Sequence, residues 1–492
     1  MSPTILFTHS YFLAFDAKQQ AAMQPYLPLG TLYAMSVLRE AGFQVALHDS
    51  MFQPGPDELT KALEAHRPDY LVIYDDGFNW LTKMCLSNMQ SAAFKMIQMG
   101  KQAGCTVIAS SSDATDHREK YLAQGVDYVL IGEAEFTLLE LVQAIEAGEP
   151  PKTVPGLAYL ENGALRQSAP RRFVRDLDMF PLPAWDLVDF QPYRKAWMAH
   201  HGYFSLNLVT TRGCPYKCNW CAKPIYGQRY NSHSPQRIVE SIQTLKALAD
   251  FDHIWFSDDI FGLKPGWVRQ FNALIQESDI HIRYKIQSRA DLLLEEDTVD
   301  CLAQSGLETV WIGAESGSQK ILDAMDKGTK VHQIEAARRL LKQHGVRVGF
   351  FLQFGYLGED RSDIQKTIGL VLKLMPDEIG ISVSYPLPGT KFFDTVRAQL
   401  SAKTNWTDSD DLAMLYKATY HPDFYRVLHR YVHLRYGWRK THQALLRRVR
   451  TPFSAGQKPI RSLCRDLTLA PRALQYWWKL RRLAGKPQNQ TI

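Results

Sequence analysis

The first 150 residues alternate short apolar runs with amphipathic stretches, which is the pattern of parallel strands joined by helices. The runs predict strands at Thr4–His9, Gln44–His48, Tyr70–Tyr74, Thr106–Ala109 and Tyr128–Ile131. Helical periodicity lies between and after them, at Leu29–Ala41, Pro56–Ala65, Leu81–Ala103, Asp116–Gln124 and Glu135–Ala147. Five such units predict an α/β, flavodoxin-like doubly wound domain with a ligand crevice at the carboxyl ends of its strands.

Residues 151–200 are rich in proline and turn formers, which predicts a linker between domains. From 201 to 400 the alternation returns, with strands predicted at Ser205–Thr210, His253–Ser257, Tyr284–Ser288, Thr309–Gly313, Arg347–Phe354 and Glu378–Tyr385. Helical patterns such as Pro235–Leu248 and His332–His344 separate them. Residues 401–492 are helix-like and rich in aromatic and basic side chains.

Length and charge refine this division. A chain of 492 residues is expected to form roughly three domains. The net charge is +6, but residues 425–492 hold 16 Lys or Arg and one Asp, so the tail is strongly basic and the remainder mildly acidic. No signal sequence or membrane-spanning run is visible. Four cysteines are scattered singly, which predicts a reducing cytoplasm: Cys85, Cys105, Cys301 and Cys464.

The remaining cysteines, Cys214, Cys218 and Cys221, form a Cys-x3-Cys-x2-Cys run just after an apolar strand. A tetrahedral structural zinc site needs four protein ligands, as does a fully protein-ligated iron–sulfur cluster. Three thiolates can hold three irons of a [4Fe–4S] cluster and leave the fourth iron open to another ligand. A zinc knuckle short of one ligand and three unrelated core cysteines are the alternatives.

The cysteine run resembles the signature of the radical SAM enzymes. The resemblance implies that the open iron binds S-adenosylmethionine (SAM) and that an electron from the cluster splits the sulfonium to a deoxyadenosyl radical. It also implies a partial (β/α)6 radical SAM barrel over residues 201–400, with its chemistry at the carboxyl ends of the strands. Arg212 and Lys217 beside the cysteines could offset the charge of the cluster, or be surface charges.

The first 150 residues resemble the cobalamin-binding domain that precedes many radical SAM barrels. The likeness is carried by Pro28-Leu29-Gly30-Thr31 and by Ile131-Gly132-Glu133-Ala134, and it assigns Ser111, Gly132 and Glu133 to cobalamin binding. The Asp-x-His-x-x-Gly motif that supplies a cobalt ligand elsewhere is absent. His48 as the lower ligand and a polar residue at a strand end both remain open, as does a degenerate domain that only docks on the barrel.

Five further residues are predicted to bind SAM by the same resemblance. Trp220 is expected near the adenine, although plain core packing would also suit it. Asp258 stands where the family places a Gly-Gly-Glu segment, with neighbouring Asp259 and a helix N-cap as alternatives. Arg289 would pair with the methionine carboxylate, and Glu315 and Ser316 of a Gly-x-Glu-Ser-Gly stretch would approach the ribose or amino acid.

The whole pattern resembles the cobalamin-dependent class that includes C-methylases and the anaerobic magnesium-protoporphyrin monomethyl ester cyclase. It implies a [4Fe–4S] cluster, SAM and cobalamin as cofactors, with no protein side chain assigned to the catalytic step. Methylation of an unactivated carbon is the first hypothesis. A cobalamin-assisted oxidoreductase or cyclase is the second, and a non-catalytic cobalamin-responsive binding protein is the third.

The partners predicted are a small-molecule or lipid-like substrate and a flavodoxin-type electron donor. The basic, aromatic C-terminal region suits peripheral contact with the inner membrane surface. Docking on the acidic body or on the electron donor, and a solvated helical face, are the alternatives. Nucleic acid is disfavoured because no RNA-binding module is recognisable.

Overall fold

The computed structural model of the chain describes residues 3–84, 86–223, 225–278, 280–400, 405–450 and 468–485. Cys85, Cys464 and part of the basic tail lie outside the described residues. Strands β1 to β5 of the first sheet are Thr4–Thr8, Gln44–His48, Tyr70–Tyr74, Thr106–Ser110 and Tyr128–Leu130. They pair in parallel in the order β2-β1-β3-β4-β5, which is the predicted doubly wound arrangement.

Helices cover both faces of this sheet. They are α1 (Ala17–Ala22), α2 (Leu29–Glu40), α3 (Leu59–His66), α4 (Trp80–Lys83), α5 (Ser87–Gln102), α6 (Ser112–Asp116), α7 (Arg118–Ala123) and α8 (Glu135–Glu146). Every residue of β3 is buried, as expected for a central parallel strand that is covered on both sides.

The segment predicted as a linker contains regular structure. Strands β6 (Leu157–Glu161) and β7 (Ala164–Gln167) form an antiparallel hairpin that extends the first sheet beyond β5. Helix α9 (Phe190–His201) then leads to the second sheet. The segment leads from the first sheet to the second, as a linker would, but its hairpin was not predicted, because strands of five and four residues carry too short an alternation to stand out among prolines.

The second sheet follows the prediction closely. Its strands are β8 (Ser205–Leu208), β11 (His253–Phe256), β12 (Arg283–Ser288), β13 (Leu307–Glu315), β14 (Arg347–Phe354) and β15 (Glu378–Val383). All neighbours are parallel and follow one another in chain order, from β8 at one edge to β15 at the other. Between β8 and β11, the short strands β9 (Thr211–Arg212) and β10 (Asn231–Ser232) form a separate antiparallel ribbon.

Helices pack on the outside of the second sheet. They are α10 (Pro235–Leu248), α11 (Trp267–Glu277), α12 (Thr298–Gln304), α13 (Gln319–Ala324), α14 (Val331–Gln343), α15 (Arg361–Leu374) and α16 (Lys391–Val396). Helix α10 begins as its sequence predicts, since Ser234 caps it by accepting from the Arg237 amide at 3.1 Å and Pro235 occupies its first turn.

Two long helices end the chain. Helix α17 (Pro422–Arg450) packs on α15 and β15, and α18 (Leu469–Ala484) packs on α17. Across the described ranges, no helix is long and apolar enough to cross a bilayer.

The two sheets are joined by specific hydrogen bonds. Asn207 on β8 accepts from the Leu27 amide at 2.6 Å and donates to the Leu27 carbonyl at 3.0 Å. Trp197 donates through Nε1 to the Pro25 carbonyl at 2.9 Å. The segment before α2 therefore lies against the first strands of the second sheet.

Candidate functional site

The three predicted cluster cysteines lie in the loop between β9 and β10, beyond the carboxyl end of β8. Cys214 is buried, Cys218 and Cys221 are half-buried, and all three thiols are free. Gly213 has a φ of +80°, and a Cβ there would lie 2.6 Å from the Arg229 carbonyl oxygen. Only glycine fits this turn, which lets the ribbon close the base of the loop.

Burial raises the pKa of the Cys214 thiol, and burial together with nearby Asp259 raises the pKa of Cys221 to about 12. Thiols in such surroundings keep their protons until a metal displaces them. Among the described residues, no three His, Cys, Asp or Glu side chains gather closely enough to hold a single ion. A cubane cluster has a different requirement, since each thiolate binds a separate iron, and three thiols in one loop fit that donor set.

Asp258 anchors the strand that leads into the cysteine loop. It is 1% exposed and its carboxylate accepts from the amide and hydroxyl groups of Thr210 and Thr211 at 2.6 to 3.1 Å. Burial raises the pKa of Asp258 to about 7, although these donors oppose the shift. In the structure both oxygens of Asp258 are engaged by this turn, and the contact with SAM stays a prediction.

Arg212, two residues before Cys214, ties the loop to the first domain. It is 2% exposed and pairs with Glu133 at 2.7 Å and with Glu135 at 2.9 Å. Four aromatic rings surround the guanidinium: Tyr33, Phe78, Phe180 and Tyr226. Burial opposes the charge of Arg212, but Glu135 and the other neighbours raise its pKa well above the usual value.

This network engages two residues, Glu133 and Arg212, for which the sequence predicted roles at the cofactors. Glu133 was expected to bind cobalamin, yet one carboxylate oxygen accepts from Arg212 and the other accepts from the Val174 amide at 2.7 Å. Burial raises the pKa of Glu133, and Arg212 holds it back. Of the two cations predicted beside the cluster, Arg212 is buried in this ion pair and Lys217 is exposed.

The tip of the cysteine loop is hydrogen-bonded to segments that follow the later strands of the second sheet. The Asn219 amide donates to the Met325 carbonyl at 3.1 Å, and the Asn219 carbonyl accepts from the Phe392 amide at 3.0 Å. Its side chain donates to the Ala324 carbonyl at 2.8 Å and accepts from the Tyr356 hydroxyl at 2.7 Å. The segments after β13, β14 and β15 therefore converge on Asn219, one of the two residues between Cys218 and Cys221.

Basic side chains from three parts of the chain flank the loop. Lys83 pairs with Asp259 at 2.7 Å, and Lys223 donates to the Tyr216 carbonyl at 2.7 Å. Lys327 pairs with Glu315 at 3.0 Å. Burial opposes the charge of Lys327, but Glu315 and the nearby Cys218 raise its pKa overall. These cations can balance the negative charge of a thiolate-ligated cluster.

Arg289 was predicted to pair with the carboxylate of SAM. In the structure both sides of its guanidinium are engaged, by Asp291 at 2.9 and 3.0 Å and by the Lys327 carbonyl at 2.9 Å. Its plane also lies over the Tyr216 ring, 3.7 Å from the centroid. Arg289 therefore contacts the cysteine loop through the Tyr216 ring, and its pairing with the SAM carboxylate stays a prediction.

Glu315 and Ser316 lie at the carboxyl end of β13, as predicted. Glu315 adopts a left-handed backbone with φ of +56°, at an irregularity in the pairing of β13 with β14. Such strain in a residue other than glycine is frequent at ligand sites. Ser316 is fully buried, where its hydroxyl accepts from the Ser318 amide and bonds the Thr367 hydroxyl, both at 3.1 Å.

Trp220 stands beside the last cysteine and is half-buried. Its Nε1 is enclosed without a hydrogen-bond partner, which is unusual for a buried indole. The rest of its ring packs against the hydrophobic core, and the contact with adenine stays a prediction.

The carboxyl edge of the first sheet carries the residues predicted for cobalamin. Ser111 caps α6 by accepting from the Ala114 amide at 2.8 Å, and Gly132 has a φ of +74° beside the Ile225 carbonyl. Several buried polar atoms here lack a partner: Tyr11 Oη, Tyr26 Oη, His48 Nε2, Asp76 Oδ2 and Asn79 Nδ2. Unsatisfied donors and acceptors at this edge fit the amide side chains of a corrin.

Sequence reasoning missed the pairing of Arg212 with Glu135, the support that Asn219 gives the loop, and the approach of Lys83 and Lys327. The paired groups are separated by tens to more than one hundred residues along the chain. The sequence did show Arg212 directly before Gly-Cys, and Glu133 and Glu135 after a predicted strand. It did not show that these residues pair with each other.

Residues 208–371 match the family model described as the radical SAM superfamily. The matched range starts at the end of β8, contains all three cysteines and ends in α15. The match confirms the resemblance predicted from the cysteine run.

Two curated relatives are similar over a longer part of the chain. An uncharacterized methyltransferase of Pyrococcus horikoshii is 30% identical over 284 residues, covering 57% of this chain and 60% of the relative. The anaerobic magnesium-protoporphyrin IX monomethyl ester cyclase of Synechocystis is 24% identical over 323 residues, covering 65% and 62%. The chain therefore spans less than two thirds of either relative.

A solved structure extends the likeness to almost the whole chain. The cobalamin-dependent S-adenosylmethionine radical enzyme OxsB, with aqua-cobalamin bound, superposes with a TM-score of 0.72 at 16% identity. The superposition covers 97% of this chain and 72% of OxsB. At this identity, the likeness shows a shared fold with both sheets in place.

Proposed function

Because the chain carries a radical SAM domain, we propose that it is a cobalamin-dependent radical enzyme that methylates an unactivated carbon. The observation that carries the proposal is the loop of three thiols beyond β8, held by Asp258, Arg212 and Asn219. When bound, a [4Fe–4S] cluster supplies the electron for reductive cleavage of SAM, and cobalamin supplies the methyl group.

We assign the three cysteines to the cluster and the carboxyl ends of β13 and β14 to SAM. Trp220 would contact the adenine, which would also explain its enclosed indole nitrogen. Glu315, with Lys327 beside it, would orient the ribose or the amino acid end, and Ser316 would keep that turn in place. Because these contacts fix the cysteine loop, the three thiols keep one arrangement, and little reorganisation of the loop would accompany binding of the cluster.

We assign residues 1–150 to cobalamin binding and residues 201–400 to the radical chemistry. The chain's own contribution at the boundary is the ion pair of Arg212 with Glu133 and Glu135, which ties both cofactor sites together. Ser111 and Gly132 lie where the backbone can approach a corrin. His48, with its partnerless Nε2, is the side chain we would test first as a lower cobalt ligand.

The test uses protein purified and reconstituted anaerobically, then incubated with SAM, hydroxocobalamin and dithionite. We expect deoxyadenosine by mass spectrometry and a visible spectrum of bound corrin. Cys214→Ala, Cys218→Ala and Cys221→Ala should each lose the cluster absorbance and the deoxyadenosine. Cys301→Ala, a buried cysteine on α12, is the matched control and should retain both. Wild-type protein that forms no deoxyadenosine would refute the proposal.

The cyclase among the relatives gives a second candidate, a cobalamin-assisted oxidoreductase or cyclase without methyl transfer. Methyl-deuterated SAM separates the two outcomes once a substrate is found. Label in the product supports methylation, whereas an unlabelled oxidised or cyclised product supports the second candidate.

We propose that a flavodoxin-type protein supplies the electron and that the enzyme works in the reducing cytoplasm. The described cysteines Cys105 and Cys301 are free, which agrees with such a compartment. Reduction of the cluster by reduced flavodoxin in place of dithionite tests the donor.

We further propose peripheral contact between α18 and an anionic membrane surface. Leu474 and Trp478 are 58% and 59% exposed, one helical turn apart, and basic residues such as Lys479 and Arg482 lie beside them. Leu474→Ser should weaken co-sedimentation with phosphatidylserine vesicles. Leu160→Ser in the β6–β7 hairpin, where Leu160 is 47% exposed, is the matched control and should not.

A further inference from the structure

The two faces of the second sheet have different surroundings. One face, with residues such as Ile254, Ile286 and Val310, is fully buried against the outer helices. The opposite face, here called the inner face, carries Trp255, Lys285, Gln287, Trp311 and Phe351 at alternate positions, and all of these are half-buried. Gln24 and Tyr26 of the first domain contact Lys285 and Trp255 at one end of this face. The half-buried rings of Trp311 and Phe351 keep part of their surface exposed, where a ligand could pack.

An aromatic pair forms the centre of the inner face. The Trp311 and Phe351 rings stack with centroids 4.6 Å apart and planes 27° apart, yet neither belongs to a hydrophobic core cluster. A Cβ on Gly349 would overlap the Trp311 ring, and one on Gly380 would lie 3.3 Å from both rings. The indole therefore lies flat over glycine on the next strand, which leaves its other side directed away from the sheet.

A lysine stands beside this pair without an anionic partner. Lys285 Nζ lies 3.8 Å from the Trp255 ring centroid and donates to the Gln24 side-chain oxygen at 3.2 Å. Within the part of the chain that the structure describes, no carboxylate lies within ion-pair distance of it. Burial lowers the pKa of Lys285 to about 8, with distant Glu378 opposing the shift. A half-buried ammonium group with only neutral partners lacks the counter-charge that such groups normally have.

The spacing of these groups fits one ligand. Lys285 pairs in register with Thr309, two residues before Trp311 on the adjacent strand. Two residues along a strand and one strand across separate Lys285 and Trp311 by about 8 Å between Cα atoms. A molecule with a flat apolar body and a short acidic side chain could contact both.

We propose that the inner face binds the substrate, and that the substrate is an apolar, ring-bearing molecule with a carboxylate that pairs with Lys285. The inference rests on the proposed function, because it takes the inner face of the second sheet as the side on which the substrate of that reaction binds. Trp311 and Phe351 stack on the ring body, and Lys285 holds the carboxylate and sets the orientation of the substrate.

The test compares two probes that differ only in charge, 1-pyrenebutyrate and 1-pyrenebutanol. Binding to the full chain, without SAM or corrin, is followed by energy transfer from tryptophan to pyrene. We expect the acid to bind about tenfold more tightly than the alcohol, as a charge-assisted hydrogen bond in a partly buried site implies. Lys285→Met should remove this preference, and Lys285→Arg should retain most of it.

Three results would overturn the proposal: no binding of either probe, equal binding of both by wild-type protein, or a preference that persists in Lys285→Met. Trp311→Ala should weaken both probes alike, which separates the stacking contribution from the charge. Should Lys285→Met fail to fold, Lys285→Gln gives the same comparison. Failure of the proposed function is read separately, since deoxyadenosine formation by wild-type protein involves no pyrene probe.

Discussion

Replacing Arg212 tests whether the ion pair between the domains holds the cysteine loop. Arg212→Met leaves Glu133 and Glu135, 5% and 1% exposed, without the cation that lies within 3 Å of both. Removing one partner of a buried ion pair typically costs about 3–5 kcal/mol. For a domain of this size, the loss corresponds to a fall of roughly 6–20 °C in the melting temperature.

The loss of stability in Arg212→Met should also depend on pH. Burial raises the pKa of Glu133 and Arg212 restrains it, so the variant should raise this pKa further. An acid whose pKa is raised by folding stabilises the protein while protonated and loses that contribution as the pH rises through the folded-state pKa. Arg212→Met should therefore be more destabilised at about pH 8 than at about pH 5.

The assay is thermal unfolding followed by circular dichroism, together with iron content after reconstitution. Arg166→Met, which removes an exposed pair with Glu161, is the control and should change stability by about 0–1 kcal/mol. Adding Glu133→Gln and Glu135→Gln to Arg212→Met should restore part of the stability, because no buried charge then remains unpaired. An Arg212→Met variant that melts with the wild type and retains its iron would refute this reasoning.

Three other predictions follow from single contacts. Asp258→Ala removes the acceptor of four hydrogen bonds and should cost about 2–4 kcal/mol and most of the bound iron, measured by thermal unfolding and iron analysis. Burial raises the pKa of Glu359 from 4.5 to about 8, so the free energy of unfolding of the wild type should decline as the pH rises between these values. The same pH series on Glu359→Gln should give a flatter curve. Parallel curves for the two proteins would contradict this role of Glu359. Gly349→Ala should displace the Trp311 ring, cost about 1–3 kcal/mol and weaken 1-pyrenebutyrate binding; unchanged binding would argue against the flat indole as a ligand surface.

Local patterns identified most of the framework. The strands of both sheets lie within a few residues of their predicted bounds, because buried parallel strands are continuous apolar runs with turns on either side. The position of Cys214 after the first strand of the second sheet also follows from neighbouring residues alone. The hairpin at 157–167 escaped prediction, since its partner strand β5 lies outside the local window.

The roles of individual charged residues could not be predicted in the same way. For Asp258 the sequence predicted a ligand contact, and the structure adds that Thr210 and Thr211 donate to it. For Arg289, likewise predicted to contact SAM, the structure adds contacts with Asp291 and Tyr216. A carboxylate or guanidinium group at a strand end suits a ligand and a neighbouring loop equally well. The docking of the loop selects between them, through the geometry of residues far apart in the chain.

The sequence by itself predicted the two α/β units, the run of three thiols and, through resemblance, the radical SAM domain that residues 208–371 match, because each depends on residues that are close along the chain. Only the tertiary structure decided that Glu133 pairs with Arg212, that Asn219 carries the tip of the cysteine loop, and that Lys285 stands among aromatic rings without a carboxylate. These relations depend on how the two sheets pack against each other. Packing is the sum of many weak contacts over the whole chain, and no short stretch of sequence records it.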